Sequence, residues 1–403
     1  MELFWLEHKK LWRKKIVKIC VLLCFVYCVI FGSILSFQWF CFGSSDDYTS
    51  AFGNNFDGYT VIKDSQEYAL SFGGELTDET LQKIVSDYQQ MEADGMGEEL
   101  EKTDWQIVNS WLGTLYPELR DTSNYKTMIS YVDPDKLTGF YERRQQVLDE
   151  FLEVSGQVGA EKEFLHQIER KVEKPFRYEW VEGWSTLLGS MVADLGVVMA
   201  LFLGIVLSSL FAGEWHDNTS TLVLTTRNGW GKIALAKILT GLAFTVELFA
   251  LLAVSSVISQ LFFMGTAGWD MPIQNIKLIA VAPMNMLQAE IYEYAFVLLG
   301  AIGFAGIVMF ISAAVKNNVL TLLLSLAVVY GPMMIAEYLP YEMQKALDLI
   351  PLVGSSTDIF RTNTFRILGK LIWSPYLLIT IPVLIGILCM PFAIKSWSRR
   401  MKA

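Results

Sequence analysis

Long apolar blocks separated by short polar segments dominate the pattern of this chain. The first block, residues 19–45, contains no charged residue. A helix needs about 20 mainly apolar residues to cross the hydrocarbon core of a bilayer. The pattern therefore predicts a mainly α polytopic membrane protein with six transmembrane helices, the first at residues 16–41. The other five are predicted at residues 187–212, 233–264, 294–315, 317–336 and 371–394.

An amphipathic segment precedes the first predicted span. Phe4, Leu6 and Leu11 recur at roughly helical spacing, and six Lys and Arg residues lie within residues 1–18. Such a segment favours a helix in the plane of the membrane surface, so residues 1–15 are predicted to form an N-terminal interfacial helix. The apolar block that follows is longer than that of a cleaved signal peptide, which indicates a retained span.

The distribution of basic residues predicts which side each connection faces. With six spans, four segments share one side and carry fourteen Lys and Arg, whereas the two short connections opposite carry five. Cytoplasmic loops hold an excess of Lys and Arg, so we expect both termini in the cytoplasm. The basic segments are 1–18, 213–237, 316–318 and 395–403, and the short connections opposite are 265–293 and 338–370.

The segment between the first two spans, residues 42–185, has the composition of a soluble domain. Residues 42–184 contain 29 Asp and Glu against 13 Lys and Arg, and the rest of the chain contains 13 against 19. An acidic domain argues against a nucleic-acid partner. We predict a mostly helical extracellular domain, followed by the remaining membrane domain at 186–403. Its helices are predicted at 78–93, 103–115 and 136–172, and a short strand at 59–63.

Composition and missing motifs exclude several classes of protein. Hydrophobic residues make up 53% of the chain and charged residues 18%, against about 25% charge in soluble domains, which excludes a soluble enzyme. The chain has no Gly-x-x-x-x-Gly-Lys-Ser/Thr phosphate loop, no His-Glu-x-x-His pair and only three histidines. These motifs carry phosphate and metal chemistry, so no cofactor is expected here. Cys20, Cys24 and Cys28 share one helical stripe, which fits either metal ligands or small packing residues.

The connection after the second span, residues 213–232, combines charged, polar and apolar positions in a definite order. Its central run predicts a short amphipathic helix that projects into the cytoplasm as a docking element, capped at Thr219 or a neighbour. The alternative is that any cytoplasmic loop needs polar residues. The residues singled out are Glu214, then Asn218 and Thr219, then Leu222 and Leu224, then Arg227, and finally Lys237 inside the next span.

This order resembles the permease subunit of an ABC exporter of the six-span type-two class, in the Gram-positive form with a large extracellular domain between the first two spans. In that family the first inner loop carries a Glu, a polar turn, a Leu-rich segment, a Ser/Thr-Arg step and a downstream Lys. Here Asp217 and Asn218 stand where the family often has a glycine. The resemblance also covers the interfacial helix, the six spans and residues 338–370, where the family has short re-entrant helices.

The resemblance implies partners as well as a fold. A separate ATP-binding subunit, which holds ATP and magnesium, would dock on the first inner loop. A second permease copy or a paralogue would complete a homodimer or heterodimer in the lipid bilayer. This chain would perform no covalent chemistry, and it would move a peptide, an antibiotic or a lipid-like substrate out of the cell.

Two acidic residues in the predicted spans are candidate pathway residues. Glu247 lies ten residues past Lys237, about 15 Å further along a helix, which predicts a position near the bilayer midplane. Asp194 lies near the outer end of the second span. An ionisable group within a span is a functional-site hypothesis by default, and a hydrogen-bonded structural role is the alternative for both. Glu290 and Glu293 are expected to precede the fourth span and face water.

Small residues and prolines predict how two later spans pack. Gly300, Gly303 and Gly306 recur every three residues in the fourth span, a spacing that allows close helix contact. Prolines at 375, 382 and 391 predict kinks or bent ends in the last span.

Three other functions are weighed against an exporter. In a sensing or resistance module the outer domain would bind an antimicrobial peptide, but such permeases usually carry their large domain between later spans. A lipid-modifying enzyme would need clustered His, Asp or Ser at one membrane face, and the sequence shows none. A sodium exporter belongs to the same class of transporters as the proposed ABC exporter. Its only candidate sodium ligands in the predicted spans would be Glu247 and Asp194.

Overall fold

A computed structural model gives the fold of this chain. It describes residues 2–30, 58–71, 73–96, 105–121, 126–217, 219, 231–354, 360 and 363–399. The described part is mainly helical, as predicted. The helices are α1 (Glu2–Arg13), α2 (Lys15–Val29), α3 (Gly58–Ser71), α4 (Asp78–Ala93), α5 (Trp105–Leu115), α6 (Phe140–Val154), α7 (Ala160–Glu169), α8 (Glu182–Thr186), α9 (Val192–His216), α10 (Lys232–Met264), α11 (Met286–Ala314), α12 (Asn318–Ile335), α13 (Tyr341–Leu347) and α14 (Ser374–Arg399). The strands are β1 (Gly74–Glu75), β2 (Arg177–Tyr178), β3 (Thr364–Ile367) and β4 (Lys370–Trp373).

Five of these helices are long and apolar enough to cross a membrane. Among the described residues these candidate spans are Asp194–His216, Lys232–Met264, Met286–Ala314, Asn318–Tyr338 and Ser374–Ser398. They correspond to the second to sixth predicted spans. The first predicted span, 16–41, overlaps α2, and its residues 31–41 lie outside the described part of the chain.

The fourth span begins earlier than predicted, and this corrects the placement of two carboxylates. The Asn285 side chain accepts from the backbone of Gln288, whose side chain accepts from the backbone of Asn285. This reciprocal cap starts α11 at Met286. Glu290 and Glu293 are therefore inside the helix and only 3% and 4% exposed, so the prediction that they face water is wrong.

Two predicted elements of the domain between the first two spans are also corrected. Residues 59–63 belong to helix α3, where a strand was expected. The single helix predicted at 136–172 is split into α6 and α7. Gly156, which follows the C-cap residue Ser155 of α6, has a φ of 72°, a left-handed backbone that ends a helix. Gly159, with a φ of 58°, is the N-cap of α7.

The end of the chain departs from the prediction in a similar way. The last span begins at Ser374, because residues 371–373 belong to strand β4, which pairs antiparallel with β3. In the segment 338–370 the described residues form one short helix, α13, followed by this hairpin, where short re-entrant helices were expected. Pro382 and Pro391 lie inside α14.

The spans pack most closely where α11 meets α14. A Cβ on Gly303 would lie closer than 3.0 Å to the Pro382 carbonyl oxygen, and one on Gly306 closer than 3.0 Å to the Gly386 carbonyl oxygen. Only glycine fits at such backbone contacts. The predicted packing role of these glycines agrees with their surroundings, and we call this contact the glycine seam.

Residues 58–181, which we call the inserted domain, have a core of their own. Leu81, Val85, Leu112 and Phe140 are fully buried there, and β1 pairs with β2 across the domain. Along α6, Phe140, Leu148 and Leu152 are fully buried, while Phe151 is 38% exposed. We call the bundle end that carries the inserted domain the domain end, and the opposite end, which carries α1, the terminal end.

The inserted domain is held to the connection between α10 and α11. The Arg144 guanidinium, which is fully buried, donates to the carbonyl oxygens of Leu278 at 2.7 Å and Ala280 at 3.1 Å. It also pairs with Glu169 at 2.6 Å. Trp111 Nε1 adds a bond to the Asn275 carbonyl oxygen at 2.9 Å. Backbone carbonyls of the connection thus replace water as partners for buried donors of the domain.

Candidate functional site

The main candidate site is a set of charged side chains at the terminal end. We call it the ionic cluster: Glu7, Lys10 and Lys14 from α1 and the residue after it, Glu214 from the last turn of α9, and Lys237 from the second turn of α10. It brings together the N-terminal helix and the two helix ends that border residues 218–230. Three separate parts of the sequence therefore meet around one carboxylate.

Glu214 is the centre of the ionic cluster. Its side chain is 4% exposed, and one carboxylate oxygen accepts from Lys10 Nζ at 2.6 Å and from Lys237 Nζ at 2.8 Å. Thr219 donates its hydroxyl to the other oxygen. A buried carboxylate is stable only when it is paired and hydrogen-bonded, and here both oxygens have partners.

Lys237 is buried as deeply as Glu214. Its side chain is 2% exposed, and Nζ bonds Glu7 at 2.8 Å in addition to Glu214. The ammonium thus lies between a carboxylate from α1 and one from α9. These two contacts tie α1 and the end of α9 to the start of α10 through a charge that is almost completely buried.

Lys10 and Lys14 respond differently to the same surroundings. Burial lowers the pKa of Lys10, but its hydrogen bond and attraction to Glu214 outweigh this and raise the pKa above its ordinary value. The pKa of Lys14 is lowered by burial and by the charges of Lys237 and Lys10. Lys14 Nζ donates to Ser209 of α9 at 2.9 Å. Lys10 is therefore the better anchor of α1.

The predicted docking residues are only partly within the described chain. Glu214, Thr219 and Lys237 are described, and the structure brings all three together. Glu214 belongs to helix α9, which continues to His216, so the loop is shorter at this side than the predicted 213–232. The predictions for Asn218, Leu222, Leu224 and Arg227 fall outside the described residues.

Glu247 lies about midway along α10 (Lys232–Met264) and has two partners on α1. Its side chain is 42% exposed, and it contacts His8 Nε2 at 3.2 Å and accepts from Trp12 Nε1 at 3.0 Å. Both partners lie on α1, the short helix whose other side reaches Lys237. Glu247 therefore contacts α1 from the middle part of the candidate span Lys232–Met264, and its role in a pathway stays a prediction.

Asp194, the second candidate pathway residue, is far from Glu247 along the bundle. It lies in the first turn of α9 at the domain end, is exposed, and forms a hydrogen bond with Tyr27 of α2. The structure therefore does not bring the two predicted pathway carboxylates together.

Sequence reasoning missed the α1 half of the ionic cluster. From the sequence alone, Glu7, Lys10 and Lys14 belong only to the charged face of the predicted interfacial helix. Their spacing of three and four residues puts them on one helix face, which was the available signal. No pattern in the sequence shows that this face meets a buried carboxylate more than 200 residues later.

The cluster can transmit position, and it offers no evident chemistry. Among the described residues, no group of three or more His, Cys, Asp or Glu could hold a metal ion. The carboxylates are already neutralised by ammonium groups from other elements. The ionic cluster thus links α1 to the last turn of α9 and to the second turn of α10.

Comparisons with models of known protein families, with curated protein sequences and with solved structures find no match.

Proposed function

We propose that this chain is the membrane-spanning permease subunit of an ATP-driven exporter. The observation that carries the proposal is the ionic cluster. It fastens α1 to the two helix ends that border residues 218–230, the segment proposed to dock the ATP-binding subunit. A docked partner needs a rigid connection to the spans if its movement is to reach them.

The distribution of charge supports an orientation for this proposal. The basic-rich segments and the ionic cluster share the terminal end, and Lys and Arg favour the cytoplasmic side. We therefore place both termini and residues 218–230 in the cytoplasm, and the inserted domain outside the cell. In this orientation the docking segment faces the compartment that holds ATP.

The roles proposed for the two kinds of subunit rest on the sequence of this chain, which has no phosphate-binding loop of its own. ATP and magnesium belong to the partner subunit, and this chain contributes the path through the membrane. A second copy or a paralogue would complete the assembly. The cargo class is a peptide, an antibiotic or a lipid-like molecule, proposed from the family resemblance and the large inserted domain.

The test is a pull-down of the chain from its native host in a mild detergent, followed by mass spectrometry. We expect an ATP-binding protein at near one-to-one ratio, and the mass of the intact complex distinguishes a homodimer from a heterodimer. Recovery of the chain without any ATP-binding protein, under conditions that preserve a known exporter complex of the host, would overturn the proposal.

A pair of variants links the test to the ionic cluster. Glu214→Gln removes the central charge, while Asp217→Asn changes a carboxylate three residues later that is 67% exposed. We expect Glu214→Gln to reduce ATPase activity of the reconstituted complex several-fold and Asp217→Asn to leave it unchanged. Equal activity of both variants and the parent would contradict coupling through Glu214.

A further inference from the structure

The structure divides the six Lys and Arg side chains of residues 1–18 into two groups. Lys10 pairs with Glu214 and Lys14 donates to Ser209, so both bind the bundle. The other four side chains are exposed, and among the described residues none of them has an ion-pair or side-chain hydrogen-bond partner. We call these four the outer basic group, which consists of Lys9, Arg13, Lys15 and Lys18.

The outer basic group is placed unfavourably within this chain. Lys9 and Arg13 lie four residues apart on α1. Lys15 and Lys18 lie three residues apart in the first turn of α2. Like charges at these spacings on a helix repel each other, and the N-terminal end of a helix favours negative charge instead. The group therefore needs negative charge from elsewhere.

The neighbouring carboxylates supply little of it. Of the two acidic residues of α1, Glu7 bonds Lys237 and only Glu2 is exposed. Helix α2 contains no acidic residue. Asp217, just after the end of α9, is exposed and contacts the neighbouring His216. The outer basic group therefore presents a net positive surface to whatever surrounds the terminal end.

Exposed apolar side chains accompany the outer basic group. Trp5 and Leu6 on α1 are 62% and 63% exposed. Ile16 and Ile19 on α2 are 47% and 51% exposed. Trp concentrates at the level of lipid head groups, and the long stems of Lys and Arg can lie along apolar surface while their charges reach water. Positive charges beside apolar side chains match an amphiphile with a negative head group.

The position of the group gives the source of that amphiphile. Lys15 and Lys18 directly precede residues 19–45, the charge-free block that predicts the first span. The charges thus lie where this block meets the membrane surface at the terminal end. Clusters of about four to eight Lys and Arg beside a span or on an amphipathic helix attract the anionic lipids of the adjacent leaflet.

We propose that the outer basic group selects anionic phospholipids from the leaflet at the terminal end. Its ammonium and guanidinium groups bind the lipid phosphodiester, and Trp5 and Leu6 contact the first carbons of the acyl chains. Lys10 and Lys14 stay bound to the bundle. The inference rests on the membrane placement of α2, and it does not require an ATP-binding partner.

The test is native mass spectrometry of the purified full chain in detergent, titrated in parallel with phosphatidylglycerol and with phosphatidylcholine that carries the same acyl chains. We expect the parent to bind phosphatidylglycerol more tightly. The double variant Lys9→Gln/Arg13→Gln should bind phosphatidylglycerol about tenfold more weakly, because two charges that contact the phosphodiester are lost. Its binding of phosphatidylcholine should change little, because the choline group already neutralises that phosphate.

Two further double variants are matched to the first. Lys136→Gln/Arg170→Gln removes the same charge from the inserted domain, where these side chains are 64% and 67% exposed, and should keep the lipid preference. Lys9→Arg/Arg13→Lys retains both charges and should keep it as well. Equal affinity of the parent for the two lipids would overturn the proposal. So would an unchanged preference in Lys9→Gln/Arg13→Gln, or a loss of preference in either matched variant.

Two more measurements distinguish other occupants of this surface. Glycerophosphoglycerol, the soluble head group of the same lipid, should not displace phosphatidylglycerol at equal concentration, because it lacks the acyl chains that Trp5 and Leu6 contact. Equal displacement would assign the group to soluble anions and overturn the proposal. A pull-down in which Lys9→Gln/Arg13→Gln loses an ATP-binding protein, while its lipid preference equals that of the parent, would assign the surface to that subunit and also overturn it.

Discussion

Glu214 holds two ammonium groups that come from opposite ends of the first 240 residues. It is 4% exposed and Lys237 is 2% exposed, so neither charge can exchange its partner for water. Removing one partner of a buried ion pair typically costs about 3–5 kcal/mol, because the other charge stays buried and unpaired. The stability of the terminal end therefore depends on this one carboxylate.

We predict that Glu214→Gln lowers the thermal unfolding temperature of the detergent-solubilised chain, with a loss of about 3 kcal/mol or more in the free energy of unfolding. Asp217→Asn is the control and should change the unfolding temperature little, since exposed charges contribute only about 0–1 kcal/mol. Tryptophan fluorescence during heating measures both. An unchanged unfolding temperature for Glu214→Gln would contradict the burial described here.

A second carboxylate predicts a dependence on pH. Burial raises the pKa of Glu169, but its contacts with Lys174 and Arg144 outweigh this and lower the pKa below the ordinary 4.5. The contribution of Glu169 to stability is therefore complete above pH 4.5 and is lost as the pH falls through the lowered pKa. We expect the unfolding temperature of the parent to fall in this range more steeply than that of Glu169→Gln. Parallel curves would contradict this assignment.

The residues that sequence reasoning misplaced share a physical cause. Glu290 and Glu293 read as water-facing because the apolar block begins after them, whereas the reciprocal cap at Asn285 starts the helix one turn before Glu290. Nothing in the sequence indicates that Arg144 is buried, and only the fold shows that it lies against backbone carbonyls from residues 278 and 280. The sequence shows which residues are charged, but whether a charge is buried depends on tertiary contacts that the local sequence pattern does not contain.

At the scale of elements, the glycine seam makes a direct prediction. Gly303→Ala would place a methyl group against the Pro382 carbonyl oxygen, and overpacking of this kind typically costs about 1–3 kcal/mol. Gly331→Ala, in α12, is the matched control because a Cβ there meets nothing within 4 Å. We expect a lower unfolding temperature for the first and no decrease for the second, measured by fluorescence during heating. A neutral Gly303→Ala would mean that the two helices are further apart.

Helix prediction from the sequence succeeds where capping and periodicity agree. Helix α4 spans Asp78–Ala93, the predicted range, and Thr77 caps it by accepting from the Thr80 backbone. The strand expected at 59–63 rested on a few Tyr, Val and Ile side chains, which β-propensity favours only weakly. The start of the last span was misplaced because apolar residues at 371–373 belong to a strand, and composition does not separate the two over so short a run.

At the scale of the whole molecule, the inserted domain and the bundle share contacts that a linker would not provide. We predict that Arg144→Met increases amide hydrogen exchange of residues 276–284, because the Leu278 and Ala280 carbonyls lose buried donors. Arg143→Met is the control, since Arg143 bonds within the domain to Leu115 and Thr138. Exchange measured by mass spectrometry tests this, and equal protection in both variants would contradict the anchoring role of Arg144.

The orientation in the membrane is predicted from charge and also has a test. Epitope tags at either terminus should be accessible only after the cell membrane is opened, and a tag inserted in the inserted domain should be accessible on intact cells. An accessible N-terminal tag on intact cells would reverse the assignment.

Membrane character follows from the apolar blocks alone, whereas the exporter function, the partners and the role of residues 218–230 stay predictions.

The glycine seam has a consequence for how the chain is made. Helix α14 follows α11 by roughly sixty residues, and synthesis at about 5–20 residues per second delays it by several seconds. During that interval the groove of α11 around Gly303 and Gly306 has no α14 to fill it. Lipid chains or an insertion factor must cover this groove during the delay. A chain truncated before residue 374 would lack α14 and keep the groove exposed, so we expect quality-control proteases to degrade it early.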